Sequence, residues 1–215
     1  MEIRTAEVRD TLYRIQQALA GNPLLSKGLE ASCQHLDRTI AALDILPKMQ
    51  DDATKAAIGA TQAVAKFSHD LRTIHMRPIA LIAKRRLAST PKFKLMALPR
   101  RYLPDAQLVI AAQAMSTAAR SHARTFVEFG LEADFVTRLL TATNRLDMAL
   151  AERRRLCADR AQARRRLKDQ ESEGGCVIKF IDAFVRPRLA DNLALIADWD
   201  AAVRISRTAE MQPKP

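Results

Sequence analysis

The chain has 215 residues, enough for one sizeable core or two small ones, and its 48% hydrophobic and 27% charged content excludes wholesale disorder. Aromatics are only 5% and glycines only 6, while Ala, Leu, Arg and Gln abound, so helix is favoured and hairpin turns have few sites. A net charge of +11 with a pI near 10.1 points to an acidic partner and by itself says nothing of the fold.

The opening MEIRTAEVRD is polar and acid-containing, unlike a secretory leader. Val8, Leu12, Ile15 and Leu19 step by threes and fours, which predicts a helix that Gly21-Asn22-Pro23 ends. Leu29, Cys33, Leu36, Ile40 and Leu43 repeat the step up to Pro47. A third stripe, Ala60, Val64, Phe67, Leu71 and Ile74, follows Asp51-Asp52, acids that suit the positive end of a helix. Pro78 predicts a kink or restart near Met76. PIALIAKRRLAS then carries two or three more turns.

From Thr90 to Pro104 the period is lost, and Pro91, Pro99 and Pro104 punctuate an ordered loop in which Leu95, Met96 and Leu98 call for burial. Asp105 is placed to cap the next helix. That helix carries Leu108, Ala112, Met115, Ala119, His122, Phe126 and Phe129 on one face and ends at Gly130. Another begins near Glu132 with Phe135, Leu139, Ala142, Leu146, Ala149, Arg153, Leu156, Arg160, Ala163 and Leu167 in step, and Gly174-Gly175 should break it. The last helix bears Val177, Ile181, Phe184, Leu189, Leu193, Ile196, Trp199 and Val203, with Pro187 kinking or splitting it.

Six helical segments with short connections predict an all-α fold: an antiparallel helical bundle with long central helices and no sheet. One domain over 1–206 is expected, with 91–104 as its ordered basic loop and 207–215 as a frayed tail. No run approaches the roughly 20 apolar residues of a membrane-spanning helix. Cys33, Cys157 and Cys176 are widely spaced without a CxxC, as reduced thiols of a cytoplasmic protein would be.

Positive charge gathers in two places. Arg72, Arg77, Lys84, Arg85, Arg86, Lys92, Lys94, Arg100 and Arg101 occupy a stretch, Arg72 to Pro104, without Asp or Glu. Phe93 and Tyr102 lie inside it, so bases could stack while the cations meet phosphates. The second run, RRRLCADRAQARRRLKD, contributes Arg153, Arg154, Arg160, Arg164, Arg165 and Lys168 among its eight cations against Asp159 before Asp169 closes it. Outside these two runs the chain is net acidic. Tyr102 and these cations are the candidate polyanion-binding residues. Long charge runs are more often the wet side of a helix. Arg153 and Arg160 fall on the apolar seam, where three outcomes stand open: emergence into solvent, internal ion pairs, or an anion site between helices. IALIAKRRL joins an apolar run to a basic cluster, as interfacial helices do, and a buried helix end explains Ile79 to Ile82 equally well.

Chemistry leaves little mark. His35, His69, His75 and His122 form no Glu-x-x-His pair, Cys33 and His35 diverge on a helix, and His122 reads as a core histidine. No Gly-rich phosphate loop, nucleophile elbow or HExxH is present. Cys157 lies among arginines, a setting that activates thiols, although a small residue in a helix contact is the simpler reading. No catalytic residue, metal or cofactor is expected. The expected role is a non-enzymatic helical interaction or scaffold protein with an acidic partner, protein or nucleic acid, and an Ala-rich helix face suited to self-association. Non-sequence-specific nucleic-acid binding is the alternative, and an enzyme of unrecognised type the third.

Overall fold

The computed structural model describes residues 2–204, the side chains of 2, 3, 23 and 24 excepted. The tail expected at 207–215 and the domain end at 206 lie outside them. The fold is all-α with long helices, and no strand occurs among the described residues. In order these are α1 (Glu2–Gly21), α2 (Pro23–Ser26), α3 (Glu30–Asp70), a π-helical turn (Leu71–Met76), α4 (Arg77–Arg86), α5 (Phe93–Met96), α6 (Asp105–Arg120), α7 (Ala123–Glu128), α8 (Phe135–Val185), a 3-10 turn (Arg186–Leu189) and α9 (Leu193–Val203). The span anticipated as one domain divides into two compact units, a terminal unit of Met1–Ala53 with Arg160–Pro215 and a central unit of Thr54–Asp159. Each has its own apolar core.

In the terminal unit, Val8, Leu12, Ile15 and Leu19 of α1 are buried with Leu36, Ile40 and Leu43 of α3, Ile181 and Val185 of α8, and Trp199 of α9. Two expected breaks are absent. α3 runs through Pro47, although a proline there forfeits one backbone hydrogen bond. Apolar positions on both sides of it, Leu43 and Ala57, are buried, and packing of that kind outweighs the local cost. α8 likewise runs through Gly174-Gly175. The reason at Gly174 is close approach: a Cβ there would stand 2.7 Å from Val8 Cγ1 and 3.3 Å from Leu12 Cδ1. Glycine is used here to let α1 and α8 touch, not to end a helix. One turn earlier, the Thr5 hydroxyl donates to buried Glu171 across the same contact.

The split expected at Pro187 does occur, as the 3-10 turn between α8 and α9. Arg188 within it donates to the carbonyls of Leu25 (3.1 Å) and Lys27 (2.8 Å), holding the turn after α2 where Gly28 takes φ 76°. Asn192 then caps α9, its side chain accepting from the Leu195 amide at 3.2 Å. At the far end Arg14 donates to the carbonyls of Ala201 (3.2 Å), in the last turn of α9, and of Arg204 (2.7 Å), just beyond it.

The central unit shows what Pro78 does. Lacking an N–H, and with a ring that would strike the carbonyl four residues back, it is preceded by a widened turn in which the Arg77 amide donates to the Arg72 carbonyl, five residues back. The wider turn moves the apolar stripe by one position. Leu71 and then Met76 are buried, while Ile74, expected on the core face, is 61% exposed. From Met76 the normal step resumes through Ile79, Ala80 and Ala83.

Asp105 is the first residue of α6 rather than its cap, and its carboxylate accepts from the Ser68 hydroxyl of α3 at 2.6 Å. The long stripe from Leu108 to Phe129 is broken at Ser121-His122, so His122 is a half-buried helix-start residue instead of a core histidine. α7 ends as expected at Gly130: with φ 93° it lets Leu131 N–H reach the Phe126 carbonyl (3.1 Å) and its own N–H the Val127 carbonyl (3.0 Å). Phe126 then packs at a tilt on Phe135, centroids 5.3 Å apart, at the start of α8.

Candidate functional site

The central unit carries eighteen Lys and Arg against eight Asp and Glu, a formal +10, so nearly all of the chain's +11 resides there. The terminal unit, with seventeen cations against sixteen acids, is close to neutral. That asymmetry follows unit boundaries the sequence does not mark.

The first basic run lies wholly in the central unit, and the fold gives its members different jobs. Lys84, Arg85 and Arg86 form the last turn of α4, where cations meet the negative end of the helix dipole. Arg77, Lys84, Arg85, Arg86, Lys92, Lys94, Arg100 and Arg101 are all exposed. Arg86 sets its guanidinium 4.1 Å above the centre of the Phe129 ring, a cation–π contact that fixes its direction. Tyr102 is 90% exposed, with Arg101 6.0 Å from its ring.

Arg72 is half-buried and committed. Its guanidinium donates to the carbonyls of Pro99 (3.3 Å), Arg100 (3.0 Å) and Leu103 (3.3 Å). Those carbonyls sit in a proline-rich segment with no regular ladder; the Arg100 carbonyl also accepts from the Leu103 amide at 3.1 Å, and the Arg72 side chain adds donors to it and to the carbonyls of Pro99 and Leu103. Replacing Arg72 with Ala is expected to loosen residues 97–104 before it affects the helices. Limited proteolysis should then cut after Arg100 or Arg101 several-fold faster, with helical content unchanged. An unaltered cleavage pattern would deny Arg72 this role.

Of the three apolar residues in the loop that call for burial, only Met96 is buried. It anchors α5 between α4 and α6, while Leu95 and Leu98 are 51% and 44% exposed. Sequence reasoning missed both as surface residues. Phe93, read as a base-stacking candidate, packs half-buried against the core.

The second basic run is shared between units: Arg153 and Arg154 belong to the central one, and Arg160, Arg164, Arg165 and Lys168 to the terminal one. Along α8 no residue between Leu150 and Leu167 is buried. Arg160 is exposed and Arg153 half-buried; Arg154, Arg164, Arg165 and Lys168 are exposed. Of the three outcomes left open for the seam arginines, emergence into solvent describes Arg160. Arg155 spends its charge locally, on Glu152 (2.6 Å) and Asp159 (3.4 Å). Cys157 fills no helix contact and is exposed.

Beside the π-helical turn lies a depression of about 200 Å³ lined by His75, Pro78, Gly130, Glu132 and Arg138 among others. Burial, and then the nearby Arg138 charge, push the His75 imidazole below its ordinary pKa. Arg138 itself is paired with Glu132 and Asp134. No group of three or more His, Cys, Asp or Glu suited to a metal ion occurs among the described residues, and none of their helices is long and apolar enough to cross a membrane. Compared with protein-family models, curated proteins and solved structures, the chain has no match.

Proposed function

We propose that this chain is a non-enzymatic binding protein whose central unit engages an acidic partner through the exposed cations between Arg77 and Arg101. The observation that carries the reading is the concentration of charge: +10 on the central unit, with no carboxylate from Arg72 to Pro104 to neutralise the exposed side chains. A merely solvated helix face usually interleaves both signs, as α8 does at Glu152, Arg155 and Asp159. Nucleic acid is the second reading, favoured by the bare Tyr102 ring next to Arg101.

Binding of this kind is salt-dependent because phosphates or carboxylates release counterions when cations replace them. Titration with single- and double-stranded oligonucleotides and with polyglutamate over a salt series should give log K falling linearly with log salt for at least one ligand. The double variant R100A/R101A should shallow that slope by about 1 to 2 without changing helical content. Absence of binding to every polyanion at low salt would refute the proposal.

A further inference from the structure

The loop after α4 joins two kinds of exposed side chain that a polyanion site does not need together. Cations Lys92, Lys94, Arg100 and Arg101 are exposed, and among them Leu95 and Leu98 stand half-exposed with Tyr102 almost fully so. A phosphate chain rewards cations and stacking rings; it offers aliphatic side chains nothing. The rings here are few, since Phe93 packs against the core and the Phe129 face is covered by Arg86. An anionic bilayer rewards the whole set: cations at headgroup phosphates and carboxylates, aliphatic side chains below them, and a tyrosine at the boundary between the two.

The loop is also built to present these groups. Met96 is fully buried and pins α5 to the unit, and Arg72 holds the carbonyls of Pro99, Arg100 and Leu103. Ile79, Ala80 and Ala83 of α4 are buried, so most of the apolar run preceding the cations belongs to the core; Leu81 alone of that run is exposed, at 60%, and the loop adds Leu95 and Leu98.

We infer that residues 92–102 form a peripheral docking site for an anionic lipid surface, with Leu95, Leu98 and Tyr102 entering the headgroup layer and the flanking cations holding the anionic heads. The inference rests on the proposed function above and names the partner for that same cationic surface.

The test is co-sedimentation of the full chain with phosphatidylcholine vesicles, with and without phosphatidylserine, beside oligonucleotide binding in the same buffer. Binding is expected to the phosphatidylserine vesicles only, and to weaken with salt. Changing Leu95 and Leu98 to Gln keeps every charge, and should lower vesicle affinity about tenfold while leaving oligonucleotide binding unchanged. Circular dichroism of the variant, unchanged, keeps the comparison fair; Tyr102→Ala, at a nearly bare side chain, serves if it is not. Vesicle affinity indifferent to both changes would overturn the inference. Oligonucleotide or polyglutamate binding with no vesicle binding would overturn it and leave the acidic-partner reading standing. No binding to any of them would remove both.

Discussion

Replacing Trp199 with Ala is expected to destabilise the terminal unit by about 3–5 kcal/mol. The indole is 97% removed from solvent and joins the core of α1, α3 and α8, and its N–H donates to Asp182 at 2.9 Å. Asp182 is shared with Arg186, which also reaches Asp200 at 2.8 Å, so the tryptophan closes α9 onto α8 by both packing and a polar chain. Trp199→Phe keeps much of the ring but strands one carboxylate contact, and should recover more than half of the loss. Urea unfolding followed by circular dichroism decides the matter, since the variants remove the chain's one tryptophan and with it the fluorescence signal. A wild-type midpoint for the Ala variant would show that α9 contributes no core.

The second large effect is a pair of neighbours with opposite signs. Gly174→Val should cost about 3 kcal/mol or more, and Gly174→Ala about 1–2 even after the helix gains a better residue, because the new atoms enter space held by Val8 and Leu12. Gly175→Ala meets nothing within 4 Å and should stabilise by about 0.5–1 kcal/mol, the ordinary benefit of Ala over Gly inside a helix. Thermal midpoints of the two Ala variants should therefore move in opposite directions. Stabilisation by Ala at position 174 would disprove the close contact of α1 with α8.

These two glycines mark where the sequence stops being readable. The apolar steps of α1, and of α3 up to Leu43, locate buried residues because a regular helix turns period into face. Gly174-Gly175 has the same local signature whether it ends a helix or admits a neighbour, and only the neighbour decides. Ile74 fails for a different reason: one extra residue in the π-helical turn passes the core position to Met76, and period counting assumes no such insertion. Phe184 is displaced by the simpler alternative of a four-residue step, Ile181 to Val185, and stacks outside the core on Phe180 with centroids 4.9 Å apart.

The candidate surface was legible as charge and illegible as geometry. The acid-free run from Arg72 to Pro104 is plain in the sequence, yet nothing there separates Arg72, spent on carbonyls, from Arg100 and Arg101, whose side chains are exposed. Exposure of Leu95 and Leu98 contradicts their hydrophobicity and cannot be read from composition. The run beginning at Arg153 continues the apolar seam of its helix in the sequence, yet its cations are divided between two units by a boundary that no glycine or proline announces.

The Arg72 clamp has a thermodynamic consequence for whatever meets the loop. A free loop loses conformational entropy when a partner orders it, and that loss subtracts from affinity. Here three carbonyls are already held from within the unit, so the ordering is done by folding and not at the moment of association. Association should therefore show a small entropic penalty and a rapid approach, and weakening the clamp should slow capture even though the Arg72 guanidinium is spent on carbonyls within the unit.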